Sequence, residues 1–126
     1  MQTIMSVNKL VFSRLKSFKN ALRGLLYVVL NEKNIIIHMA LSVVVLLMGF
    51  YFKITATEWC LLLFAIGLVL CFEILNTAVE RVADLYTQQY NKLIGQVKDI
   101  SAGGVLLAAI IASIIGLIIF IPKIIS

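Results

Sequence analysis

The chain has 126 residues, of which 62% are hydrophobic and 13% charged, against roughly 45–50% and 25% in soluble domains. A water-soluble domain of this size cannot hide that much apolar surface in one core, so a bilayer is the natural solvent. The formal net charge of +5 is concentrated near the ends of the apolar runs, a pattern that speaks of membrane topology, and no nucleic-acid partner is expected.

The first thirty residues are polar-rich and amphipathic, with no small-residue cleavage site after a short apolar run, and the whole chain is read as the mature protein. Within residues 6–30, Leu10, Val11, Arg14, Leu15, Phe18, Ala21, Leu22 and Leu25 recur at helical spacing with Lys and Asn between them. That is the pattern of an amphipathic helix lying in the interface, although a helix packed on membrane spans would show it too.

A first transmembrane helix is expected over 33–52, with His38 near its start as an interfacial residue. Lys53–Thr57 reads as a short turn, with Thr57 as N-cap of the next helix. The second span, 58–84, opens with Trp59 at the interface, stays apolar through Phe72 and then turns polar without a break. Cys60 and Cys71 lie roughly 16 Å apart along this helix, too far to bridge, and read as small packing residues.

The third span, 92–121, stops at Pro122-Lys123. Its Gly103, Gly104, Ala108, Ala109, Ala112 and Gly116 give it small faces for close helix packing. The expectation is an all-α membrane protein: one domain, 1–126, with an N-terminal surface helix and three transmembrane helices.

Three spans place Lys9, Arg14, Lys16, Lys19, Arg23, Lys33, Arg81, Lys92 and Lys98 on one side of the membrane and Lys53 and Lys123 on the other. By the positive-inside bias, the N-terminus and the 81–98 loop face the cytoplasm.

The polar end of the second span carries the chemistry. At 100° per residue, Asn76, Glu80 and Asp84 fall at about −60°, −20° and +20° from Glu73, so all share one stripe with Thr77 nearby. Glu73 is roughly 21 Å along the helix from Trp59, inside the hydrocarbon layer. An ionisable group at that depth costs at least a few kcal/mol unless it faces protein or water. Stacked acids suggest a hard-cation or proton-transfer site; a structural polar seam between helices is the plainer alternative.

Glu32 at the mouth of the first span and Asp99 at that of the third put a carboxylate at the same face of every span. Mg²⁺ takes one or two carboxylates plus nucleotide phosphates, and a lysine such as Lys98 supplies a point charge for phosphate oxygens. A buried base, a metal and a lysine are the parts of phosphoryl transfer, where catalysis is mostly positioning and charge neutralisation. No GxxxxGK[ST] loop and no protein-kinase signature is present, so a nucleotide site must be built another way.

The string Glu73-Ile-Leu-Asn-Thr-Ala-Val-Glu80, then Asp84 and Lys98-Asp99, resembles the E-x-x-N-[ST]-A-[IV]-E-x-x-x-D signature of the small bacterial integral-membrane diacylglycerol kinase family, which includes the undecaprenol kinases. The resemblance runs over nearly the whole chain, from Phe18, Ala21 and Gly24 through Asn31-Glu32 to the loop containing Tyr90. It implies an ATP- and Mg²⁺-dependent kinase of a lipid alcohol in the bacterial cytoplasmic membrane, with its active site on the cytoplasmic face. In the roles it implies, Glu73 is the general base, Glu32 and Glu80 hold Mg²⁺ and contact ATP, and Asn76 orients the acceptor. Lys98, Asp99, Arg14 and Tyr90 contact ATP. It also implies a homotrimer with sites between subunits.

The stretch Glu32-Lys-Asn-Ile-Ile-Ile-His38 looks more like the undecaprenol-kinase branch, and Ala102 stands where the diacylglycerol branch has serine. Undecaprenol is therefore the favoured acceptor, with diacylglycerol as the second. Two readings from other classes stand beside the kinase. One is a small proton-coupled transporter with Glu73 as coupling site, for which Gly67 is the one candidate gating glycine in the second span. The other is a structural membrane subunit whose carboxylates lock helices together. The transporter reading leaves Glu32, Lys98 and Asp99 without a task.

Overall fold

A computed structural model describes residues 2–125, and every regular element among them is helical. In chain order these are α1 (Gln2–Asn31), α2 (Lys33–Tyr51), α3 (Ala56–Tyr86) and α4 (Lys92–Ile124). Helices α2, α3 and α4 are each long and apolar enough to cross a membrane, which establishes the expected all-α membrane architecture. At 1.5 Å per residue α2 is about 28 Å long, close to the hydrocarbon thickness, whereas α3 and α4 reach about 46 and 50 Å and must extend beyond it. The surplus length of α3 is where its polar half begins.

The chain divides into two compact units, one up to Asn31 and one from Glu32 onward. In the first, α1 exposes apolar residues, Phe12, Leu15 and Phe18 among them, together with the basic Arg14, Lys16, Lys19 and Arg23, as an amphipathic surface helix does. It closes with the Asn31 side-chain amide donating to the Tyr27 carbonyl at 2.7 Å. Glu32 then takes an extended backbone and serves as N-cap position of α2.

In the second unit α3 is the middle helix, packed most extensively on α4 and next on α2. The α3–α4 seam relies on a small residue: a Cβ on Gly104 would stand 3.1 Å from Cδ1 of Phe72. The reversal between α2 and α3 is tight. Lys53 adopts a left-handed backbone, φ 49°, and a Cβ on Gly49 would come within 2.8 Å of the Trp59 ring.

The N-cap of α3 is Thr55, not Thr57. Thr55 Oγ1 accepts from the Glu58 N–H at 3.3 Å, and Glu58 Oε2 accepts from the Thr55 N–H at 2.7 Å. The reason is spacing: a reciprocal cap needs an acid three residues on, which Thr55 has and Thr57 lacks.

Below this turn lies the apolar cluster of Ile54, Leu62, Ile119 and Phe120, with Trp59, Phe52 and Met48 packed against it. Lys123 Nζ reaches Glu58 Oε1 at 3.0 Å and ties α4 to the start of α3. Helix α4 runs past the expected stop and carries Pro122 in its final turn, ending at Ile124. Cys60 and Cys71 are free and exposed, so they sit on outward faces rather than filling the helix seam. Leu63, Phe64, Leu107, Leu117 and Ile118 are exposed in the same way, as suits side chains meeting lipid tails.

Candidate functional site

The last four turns of α3 gather the polar stripe. Glu73, Asn76 and Thr77 are 4%, 5% and 8% exposed, Glu80 is half-buried and Asp84 is exposed. The stripe shares one face, as the 100° periodicity requires, and becomes more exposed toward the helix end.

Glu73 does not stand alone. His38 of α2 places Nε2 3.1 Å from Glu73 Oε1; with the carboxylate ionised, Nε2 carries the proton and donates. Ser42 Oγ in turn donates to the His38 carbonyl at 2.7 Å. Sequence reasoning missed His38 and took it for an interfacial residue. The available signal was helical spacing, because buried Ile35 and half-buried His38, Ser42 and Val45 trace one inward face of α2.

Asn76 donates through Nδ2 to Glu80 Oε1 at 3.0 Å, while its Oδ1 is buried with no hydrogen-bond partner. A buried acceptor left unmade costs about 1–3 kcal/mol. Such an atom has a use when a donor arrives with a ligand.

The outer residues of the constellation are held by ion pairs. Arg81 Nη2 donates to Glu32 Oε1 at 2.5 Å, which brings the start of α2 to the turn of α3 that bears Glu80. Lys98 Nζ donates to Asp84 Oδ1 at 2.5 Å, which joins the start of α4 to the end of α3. Exposed pairs of this kind contribute about 0–1 kcal/mol, so either partner is available for exchange with an incoming phosphate or cation. Asp99 is exposed, and Tyr90 in the α3–α4 connection is 96% exposed. Arg14 is exposed on α1, within the first unit. The chain therefore brings Glu73, Asn76 and Glu80 together, adds His38, and joins Glu32 and Lys98 to them through Arg81 and Asp84. Among the described residues, no three His, Cys, Asp or Glu side chains converge as a metal cluster.

An apolar groove of about 530 Å³ runs between α2, α3 and α4, walled by His38, Val45, Val69, Ala109, Gly116 and Phe120 among others. His38 is thus shared between the groove and the buried carboxylate.

Residues 19–120 match the family model of prokaryotic diacylglycerol kinases. The chain belongs to this family. It is 40% identical over 108 residues to the undecaprenol kinase of Bacillus subtilis (strain 168), covering 86% of this chain and 88% of that one. To a diacylglycerol kinase of Synechocystis it is 37% identical over 113 residues, 89% of this chain and 65% of that one. The Escherichia coli (strain K12) diacylglycerol kinase shares 38% identity over 64 residues, about half of each chain. As a member of the diacylglycerol kinase family, the chain is a multi-pass membrane phosphotransferase with an alcohol group as acceptor, acting on a nucleotide and a lipid.

Proposed function

We propose that this protein uses ATP and Mg²⁺ to phosphorylate the primary hydroxyl of a membrane lipid alcohol, with a long polyprenol favoured and diacylglycerol accepted. The observation that carries the reading is a buried carboxylate, Glu73, hydrogen-bonded to His38 where an apolar groove begins. A lipid tail lying in that groove brings its hydroxyl toward Glu73. Glu73 is the general base for that hydroxyl, and the orphaned Oδ1 of Asn76 is a second acceptor that orients it.

In this reading Glu32 and Glu80, whose Oε1 atoms accept from Arg81 and Asn76, hold the cation. Two carboxylates suit Mg²⁺, which keeps waters and phosphate oxygens as its other ligands. Bound there, it would neutralise charge on the transferring phosphoryl group. Lys98, released from Asp84, supplies a point charge to the phosphates, and Asp99 and Tyr90 add further nucleotide contacts. The basic residues around α1 and the 81–98 loop support a cytoplasmic placement of this end. The small-residue faces of α4 suit association into a homotrimer.

The lipid preference rests on two supports. One is the undecaprenol kinase relative that this chain matches over 88% of its length. The other is Ala102, exposed near the start of α4, which offers no side-chain hydrogen bond to a glycerol ester. A site that hydrogen-bonds a substrate group rejects analogues lacking it strongly, whereas an apolar site discriminates by about 1–3 kcal/mol. The test is purified protein in micelles holding both lipids at equal surface fraction, with phosphate incorporation read for each. ATP consumption should depend on a lipid alcohol, and polyprenol should be favoured by roughly 10–200-fold at most. A clear preference for diacylglycerol overturns the lipid assignment, and ATP turnover indifferent to both lipids overturns the kinase reading.

A further inference from the structure

His38 has no task in the phosphoryl-transfer roles given above, yet it bonds the buried carboxylate from another helix. It lies in an aliphatic run, Ile35-Ile36-Ile37-His38, where an apolar residue would continue the helix face at no polar cost. A half-buried imidazole at membrane depth is unfavourable unless hydrogen-bonded. Its partner, 3.1 Å away and 35 residues on in the chain, is the group read above as the base.

A glutamate has three rotatable side-chain bonds, and a buried carboxylate with neither oxygen held can turn away from its acceptor. Misplacement by about 1 Å is enough to lose about 10²-fold in rate. The Nε2–H bond fixes Oε1, so Oε2 remains for the substrate.

We propose that His38 is a positioning residue for phosphoryl transfer, holding Glu73 so that its second oxygen meets the lipid hydroxyl. This rests on the reading of Glu73 as base. In the step it serves, the hydroxyl proton passes to Glu73 Oε2. The freed electron pair on the lipid oxygen forms the new bond to the γ-phosphorus. The bond from that phosphorus to the bridging oxygen breaks, its electron pair leaving with ADP. His38 neither gains nor loses a proton in this accounting; it keeps the acceptor carboxylate in register.

The two amide replacements separate positioning from mere polarity. The Gln side-chain nitrogen reaches about where Nε2 stands, whereas the Asn nitrogen stops about where Nδ1 stands, one bond row short of Glu73. With a polyprenol in micelles as acceptor, His38→Gln should keep kcat within a few-fold of wild type. His38→Asn should lose about 10–100-fold in kcat while KM for ATP stays unchanged. In a Glu73→Gln background, His38→Asn should add no further loss.

Equal kcat in the two amide variants, whether high or low, overturns the positioning role, as does a loss that appears in KM for ATP rather than kcat. Glu73→Gln measured alongside tells the two readings apart. If that variant is active, the base assignment has failed; if it is inactive and His38→Asn turns over normally, only the role of His38 has.

Discussion

The two ends of the α2–α4 unit are built on opposite terms. Around Ile54, Leu62, Ile119 and Phe120 everything is satisfied: apolar side chains interlock, Thr55 and Glu58 cap each other, and Lys123 completes Glu58. Around Glu73 the reverse holds, with a carboxylate and an amide buried at membrane depth and one amide oxygen unpaired. The same helix, α3, serves both. One end supplies stability, and the other holds polar groups that the fold alone has no use for. Substitutions at the polar end should therefore change rate and spare stability, and those at the apolar end should do the opposite.

The largest effect is expected from Glu73→Gln. The amide keeps the shape and can still accept from His38, so the thermal midpoint should hold while kcat falls by about 10²–10⁴-fold, the usual contribution of a general base. Turnover near that of wild type would remove Glu73 from the chemistry and reduce the polar end to a structural seam. Next come Glu32→Gln and Glu80→Gln. Each removes one charge from the proposed cation site, which would suit the hard oxygen chemistry of Mg²⁺. The half-saturating Mg²⁺ concentration should rise about tenfold, the equivalent of ~1.4 kcal/mol, with partial recovery at high Mg²⁺ or with Mn²⁺. An unchanged metal dependence in both variants would refute the assignment.

At the apolar end the readout is unfolding. Leu62, 2% exposed, leaves a cavity when cut to Ala. Leu→Ala in a water-soluble core costs roughly 2–5 kcal/mol, but lipid solvates the lost methyl groups nearly as well as protein does. Leu62→Ala should therefore fall at the low end of that range, seen as a lower thermal midpoint with kcat intact and, because Leu62 also walls the groove, a higher KM for the lipid. The smallest change is Thr55→Ala, which removes one half of the capping box for about 0.5–2 kcal/mol and leaves kinetics alone. A fall in kcat in either variant would break the division between the two ends.

The sequence disclosed what has a period or a length. Spans follow from apolar runs long enough to cross a bilayer, and the stripe Glu73, Asn76, Glu80 follows from 100° per residue within one helix. Thr55 was legible too, through the acid three residues on, but a rival threonine two positions later masked it. What no period encodes is contact between helices. His38 meets Glu73 across 35 residues, Glu32 meets Arg81 across 49, and Lys98 meets Asp84 across 14. Each depends on the rotation and axial offset of one helix against another, which are set by details such as the Gly104–Phe72 approach. The motif therefore gave Glu73 and its stripe but not the histidine bonded to it.

The order of helix contacts also bears on how the unit assembles. The substantial contacts run α2 to α3 and α3 to α4, each between neighbours along the chain. Loop-closure entropy is small for such pairings, and folds dominated by them form quickly. The tight Lys53–Thr55 reversal lets α2 and α3 close as a hairpin while α4 is still being made. Glu58, already bonded to the Thr55 N–H, then receives Lys123 when α4 comes to lie alongside. Its carboxylate thus serves both as a cap within α3 and as the point to which the far end of α4 is tied.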